Sequence, residues 1–131
     1  MTNDLSTTSS MIVKLEDLVV YQLAMEIGDD IYKCVISWPY FDKETLGKQI
    51  VRSADSLALN IAEGYGRFHY KENKTFCFYS RGSLLETRTS LIKSRERNLI
   101  DENLFTNIHN KLEHFHKLLN GYIKSIGNTV I

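Results

Sequence analysis

Phe105, Ile108, Leu112, Phe115, Leu119, Tyr122 and Ile126 recur at alternating spacings of three and four residues. An α-helix turns once in about 3.6 residues, so this spacing puts every one of them along one side. A helix with such a stripe is stable only when other helices cover it. Leu18, Tyr21, Met25, Gly28, Tyr32 and Val35 repeat the pattern, beside a second stripe of Val20, Ala24, Ile27, Ile31 and Cys34. Two adjacent stripes predict a wide buried face on helix one. Helix two carries Gly47, Ile50, Ala54, Leu57, Ile61 and Gly64, whose small residues let a neighbouring backbone approach. For helix three the predicted seam is Phe78, Gly82, Leu85, Thr89 and Ile92.

The joints agree with the periodicity. Pro39 cannot continue helix one and disfavours helical geometry at Trp38. Asp42 is then the expected N-cap of helix two, with Phe41 and Leu46 as a hydrophobic staple. Ile100, Asp101 and Phe105 form the same device at the start of helix four. Gly64 and Gly66 are expected to end helix two, Asn98 to take the left-handed cap of helix three, and Gly127 to close helix four. Short connections make successive helices antiparallel neighbours. The predicted fold is all-α, an antiparallel up-down-up-down four-helix bundle over residues 15–127, with flexible tails at 1–14 and 128–131.

A chain of 131 residues with 43% hydrophobic residues and a single proline suits one such domain. Met1 to Ser10 lacks the basic and apolar regions of a signal peptide, and no apolar run approaches the ~20 residues that span a bilayer. A cytoplasmic protein without a membrane partner is expected, and Met11 is an alternative start. Cys34 and Cys77 form neither a CxxC pair nor a framework, so they read as buried apolar groups without a disulfide. Net charge is zero, yet unevenly spread. From Glu16 to Glu44 seven acidic residues face only Lys33 and Lys43, whereas Arg67 to Arg97 holds eight Lys or Arg against Glu72, Glu86 and Glu96.

Catalytic chemistry finds little support. Glu113 and His116 have the Glu-x-x-His spacing of di-iron bundles, but the motif occurs once and such sites need two copies. With Phe105, Leu112, Phe115 and Leu119 inward, Glu113 is expected to face outward and His109 and His116 to line a polar rim. Neither cysteine has a histidine at helical neighbour spacing, and no Gly-x-Ser-x-Gly elbow or phosphate loop is present. The chain reads as a non-enzyme with no metal and no cofactor.

Two surfaces stand out instead. On helix two, Gln49, Arg52 or Ser53, Ser56, Asn60, Glu63 and Arg67 form a polar stripe, which is either a solvated face or a network bonded to another helix. On helix three, Cys77, Arg81, Leu84, Arg88, Leu91 and Arg95 alternate apolar groups with arginine, and Lys74 continues the basic spacing. Leu84 and Leu91 on that flank point to a protein interface, and an anion-binding face is the second reading.

Val20-Tyr21-Gln22, Ala24, Ile31-Tyr32, Gln49-Ile50, Arg52-Ser53-Ala54, Ser56, Asn60-Ile61-Ala62-Glu63-Gly64, and Gly82-Ser83 followed by Glu86 carry a resemblance. Over roughly residues 15 to 125 the chain resembles the bacterial four-helix-bundle proteins encoded by intervening sequences in 23S ribosomal RNA genes. The resemblance implies a homopentamer without catalysis. A related protein, the accessory variability determinant of diversity-generating retroelements, partners a reverse transcriptase and binds nucleic acid. By that similarity Arg52, Ser56, Asn60, Glu63, Gly64, Gly82, Ser83 and Glu86 are the structural motif residues. Leu57-Ala58-Leu59 departs from the family, which often has a proline there. RNA or DNA would meet Arg67, Lys71, Lys74, Arg81, Arg88 and Arg95, although zero net charge weakens that case. A protomer interface would set Glu26, Asp29 and Asp30 against Arg81 and Arg88 of the next copy, beside Leu84 and Leu91. The alternative reading is a protein-binding adaptor that docks a partner on Leu84 and Leu91 and binds no nucleic acid.

Overall fold

The computed structural model describes residues 13–128. The expected tails lie outside the described residues, apart from Val13, Lys14 and Asn128. After a single 3-10 turn at Leu15–Asp17, four long helices follow: α1 (Val19–Val35), α2 (Lys48–Tyr65), α3 (Tyr70–Glu96) and α4 (Glu102–Ser125). Each packs along two neighbours in the cyclic order α1, α2, α3, α4, with α2 and α3 in the most extensive contact. The fold is the expected all-α, antiparallel four-helix bundle.

Helix ends follow local chemistry, with one correction. At α4 the Asp101 carboxylate accepts from the Leu104 N–H at 2.8 Å, and Ile100 and Phe105 are buried on either side. The end of α3 is a Schellman turn: Asn98 is left-handed at φ 58°, and the Leu99 and Asn98 amides donate to the carbonyls of Ser94 and Arg95. Gly127 is left-handed at φ 81°. Asp42, however, caps nothing. A helical turn already begins at Tyr40, with Pro39 as its N-cap, and passes through a π-helical turn at Lys43–Gly47 into α2. Proline lacks an N–H, so a helix start is where it costs least, and that moves the start ahead of Asp42. Phe41, the expected staple, is 74% exposed. Gly66 caps α2 as expected, and Gly64 lies in its last turn.

Ile27, Ile31, Ile50, Leu57, Ile61, Leu84, Leu91, Ile108, Leu112, Phe115 and Leu119 are fully buried at the centre. The α4 seam is as predicted, except that Tyr122 is only half-buried and Ile123 joins the core. On α1 the second stripe wins: Val20, Ala24, Ile27 and Ile31 are buried, together with Gly28 and Val35, whereas Met25 and Tyr32 are about half exposed. On α3 the predicted seam is overturned. Phe78 and Leu85 face solvent, and the buried face is Cys77, Ser80, Leu84, Thr87, Ser90, Leu91 and Ser94. Three hydroxyls on that face are bonded: Ser80 donates to the Leu57 carbonyl and Thr87 lies 2.9 Å from the Ser53 hydroxyl, both across to α2, and Ser94 donates to the Ser90 carbonyl. Small polar residues let α3 approach the side of α2 that carries Ser53 and Gly64, and bonded hydroxyls cost little to bury.

Candidate functional site

Burial of Leu84 and Leu91, at 0% and 1% exposure, removes them as a docking surface. The interface and the adaptor reading built on those two leucines are corrected accordingly. Rotating α3 to bury them also turns the arginines toward α4. Arg88 meets Glu113 at 2.7 Å, Arg81 donates to Asn120 Oδ1 at 2.8 Å, and Arg95 lies 3.5 Å from Glu102 with its guanidinium over the Phe105 ring. Glu113 therefore points toward α3 rather than outward. His109 stacks on Phe105, and His116 is half-buried.

The acidic helix is occupied in the same way. Lys111 of α4 reaches Glu26 at 2.5 Å and Asp30 at 2.6 Å, and these two carboxylates hold its ammonium above the ordinary lysine value. Glu26, Asp30 and Arg88 thus have partners in their own chain, which corrects the pairing of these three across protomers. Asp29 has no cation beside it among the described residues. It rims a groove between α1 and α2 with Asp55, whose carboxyl is pushed up by burial and then by Asp29.

The polar stripe of α2 divides. Ser53 belongs to a helix-to-helix network through Thr87. Ser56 and Asn60 instead donate to the Arg52 and Ser56 carbonyls of their own helix, and Glu63 pairs with Arg67 at 2.6 Å. Arg52, Ser56 and Glu86 line a polar groove of about 400 Å³ between α2 and α3, and half-buried Ser83 gives its carbonyl to the Thr87 hydroxyl. Among the motif residues, Gly64 has a clear packing reason: a Cβ there would lie 2.7 Å from Asn73 Oδ1 and 2.9 Å from the Asn73 carbonyl oxygen. Gly82 has none, since a Cβ would meet nothing within 4 Å.

Nothing in the described residues groups three or more His, Cys, Asp or Glu side chains for a metal. Burial raises the Cys34 thiol and pushes that of Cys77 up to about 11, which suppresses the reactive thiolate. No helix in the described residues is long and apolar enough to cross a membrane.

Surfaces remain that sequence periodicity placed inside or passed over. Between α1 and α2 lie two clefts: one of about 420 Å³ has apolar walls of Tyr32, Val35, Ile36, Gly47 and Val51 and is edged by Lys43, Glu44, Lys48 and Arg52, and a smaller one is lined by Met25, Ala58 and Leu59 with Asp29 and Asp55. Met25, Tyr32, Ile36 and Leu59 are 47%, 55%, 50% and 67% exposed. At the turn from α2 to α3, Phe68 is 91% exposed and Tyr70 65% exposed, between Arg67, Lys71 and Lys74. Lys71 and Lys74 have no carboxylate partner among the described residues. Arg67, Lys71 and Lys74 are among the residues expected from the sequence to meet RNA or DNA, whereas Phe68 and Tyr70 between them carry no helical periodicity that marks them.

A four-helix bundle with one buried and one half-buried thiol, with Arg88 and Arg95 paired to α4, and with open clefts is a helical-bundle domain whose visible features are surfaces. Residues 16–121 match the family described as 23S rRNA-intervening sequence protein, and the chain belongs to that family. A crystal structure of a protein of unknown function from the S23 ribosomal protein family of Bacteroides thetaiotaomicron shares the fold. It has a TM-score of 0.71 at 22% identity, covering 80% of this chain and 98% of that one. None of the curated proteins matches the chain.

Proposed function

We propose that this protein is a non-catalytic, self-associating scaffold that presents a cationic, aromatic-tipped end to single-stranded RNA or DNA. The observation that carries the reading is the turn between α2 and α3. Phe68 is 91% exposed there, and Lys71 and Lys74, which have no carboxylate partner among the described residues, follow it in the chain. Single-stranded nucleic acid is held by backbone neutralisation and by stacking of bases on aromatic rings, and neither needs a basic chain overall. Lys124 lies in the last turn of α4, and Gly127 packs against Tyr70, so α4 adds a cation to the same end. The paired Arg88 and Arg95 are less suited to phosphate than the sequence alone suggests.

The test is fluorescence anisotropy with short labelled single-stranded RNA and DNA across a salt series. Binding should weaken steadily as salt rises. Phe68→Ala should cost about tenfold in affinity, the scale of one lost base stack. Arg95→Gln should leave affinity within about twofold, since that guanidinium is held by Glu102 and Phe105. Absence of binding at low salt would sink the nucleic-acid part and leave a scaffold alone.

A further inference from the structure

The polar groove of about 400 Å³ between α2 and α3 has no part in the nucleic-acid end proposed above. It lies against the N-terminal half of α2, whereas Phe68 follows the C-terminal end of that helix. Its volume falls within the roughly 300–1,000 Å³ of small-molecule sites. Ser53 in its wall is buried and lies 2.9 Å from Thr87, a bond that pins the two helices together beside the groove. Its N-terminal rim, Glu44 and Thr45, belongs to the π-helical turn Lys43–Gly47. Such turns are frequent at functional sites.

The hydrogen-bonding capacity left over defines what fits. Thr45 donates to the Phe41 carbonyl at 2.8 Å, Ser53 to the Ile50 carbonyl at 3.2 Å and Ser56 to the Arg52 carbonyl at 2.9 Å. A hydroxyl has one hydrogen, so toward the groove these three only accept. Lys48 is held by Glu44 at 2.8 Å. Among the described residues, the Arg52 guanidinium has no carboxylate partner, the Glu86 carboxylate has no cation, and the Gln49 amide has no bonded partner. Arg52 on α2 and Glu86 on α3 line the same groove, yet no ion pair joins them.

The lining sets two cations, Lys48 and Arg52, against two carboxylates, Glu44 and Glu86. A polyanion or a polyamine meets repulsion there as well as attraction. A neutral molecule with one charge of each sign is attracted at both ends. Arginine's planar fork takes a carboxylate through two parallel bonds, and an ammonium has three hydrogens to give to Glu86 and to the hydroxyl and amide oxygens. No aromatic ring lines the groove, so a nucleobase has nothing to stack on.

We propose that the α2–α3 groove binds a small zwitterion, an amino acid or a dipeptide, with its carboxylate on Arg52 and its ammonium on Glu86. The ligand spans the gap between these two side chains and ties α2 to α3 from outside.

The test is an amide NMR titration of the full chain, read at Gln49, Arg52 and Glu86. The probes are glycine, γ-aminobutyrate and glycylglycine, whose charges are set different distances apart; the tightest of them distinguishes an amino acid from a dipeptide. N-acetylglycine and glycinamide each lack one charge. At least one zwitterion should give saturable shifts, and each single-charge analogue should bind about tenfold more weakly, the scale of one lost bond to a charged group. Arg52→Gln and Glu86→Gln should each weaken binding by about the same factor, and both side chains are exposed, so the bundle should tolerate the change. The analogue comparison uses the unaltered chain and holds whether or not the variants fold. No saturable shift with any zwitterion would overturn the proposal, as would equal binding of either analogue or unchanged binding by the folded variants. Inorganic phosphate is the counter-probe: phosphate binding without zwitterion binding also overturns it and assigns Arg52 to the nucleic-acid surface.

Discussion

Individual residues show how closely this bundle is fitted. A Cβ on Gly64 would press on the Asn73 side chain and backbone, whereas one on Gly121 would meet nothing within 4 Å. Gly64→Ala should therefore destabilise by about 1–3 kcal/mol through overpacking. Gly121→Ala should stabilise by about 0.5–1 kcal/mol, because alanine loses less backbone entropy in a helix. Thermal unfolding of both variants checks the pair, and a stable Gly64→Ala would contradict the close α2–α3 approach. The periodic spacing of α2 marked Gly64 as a small residue facing a neighbour. It could not name Asn73, which only the crossing of two helices brings there. Lys111 was equally invisible, since its carboxylate partners Glu26 and Asp30 lie on α1, far away in the chain.

Helix ends separate what is local from what is not. Asp101 and Asp42 have the same sequence surroundings, each after an apolar residue and four positions before another. Asp101 bonds the Leu104 amide, while Asp42 makes no capping bond because the chain is already helical from Tyr40. Asp101→Ala should cost about 1 kcal/mol, and Asp42→Ala should cost close to nothing. Urea denaturation midpoints measure both, and equal losses would argue that Asp42 does cap α2. The stripe of α3 failed as a prediction for another reason. Phe78, Leu85 and Ile92 are more hydrophobic than Ser80, Thr87 and Ser94, so a count of apolar residues selects the wrong face. What reverses the choice is the cost of distance: α2 turns Ser53 and Gly64 toward α3, and only small residues on α3 let the backbones close until Ser80 reaches the Leu57 carbonyl and Thr87 the Ser53 hydroxyl.

At the scale of the whole molecule, zero net charge conceals carboxylates such as Asp29 and Asp55 that have no cation beside them among the described residues. Asp55 is held above its ordinary 3.8 by burial and by Asp29. Between the unfolded value and the raised folded value the native chain holds more protons than the unfolded one, so this group's contribution to stability falls as pH rises through that window. Asp55→Asn should remove that fall and raise the denaturation midpoint at neutral pH. Urea titrations from about pH 4 to about pH 7 would check it, and an unchanged pH profile would count against the assigned burial. The number of helices, their order, the Asp101 and Asn98 ends and the α4 seam were determined by the sequence alone, because each rests on spacings and turns a few residues long. The face α3 buries, the pairing of Arg88 with Glu113, the open α1–α2 clefts and the exposed Phe78 and Leu85 were decided only by tertiary structure. Helical periodicity fixes which residues share a stripe; which of two competing stripes faces inward depends on how closely its neighbours can approach, and that is a property of the packed bundle.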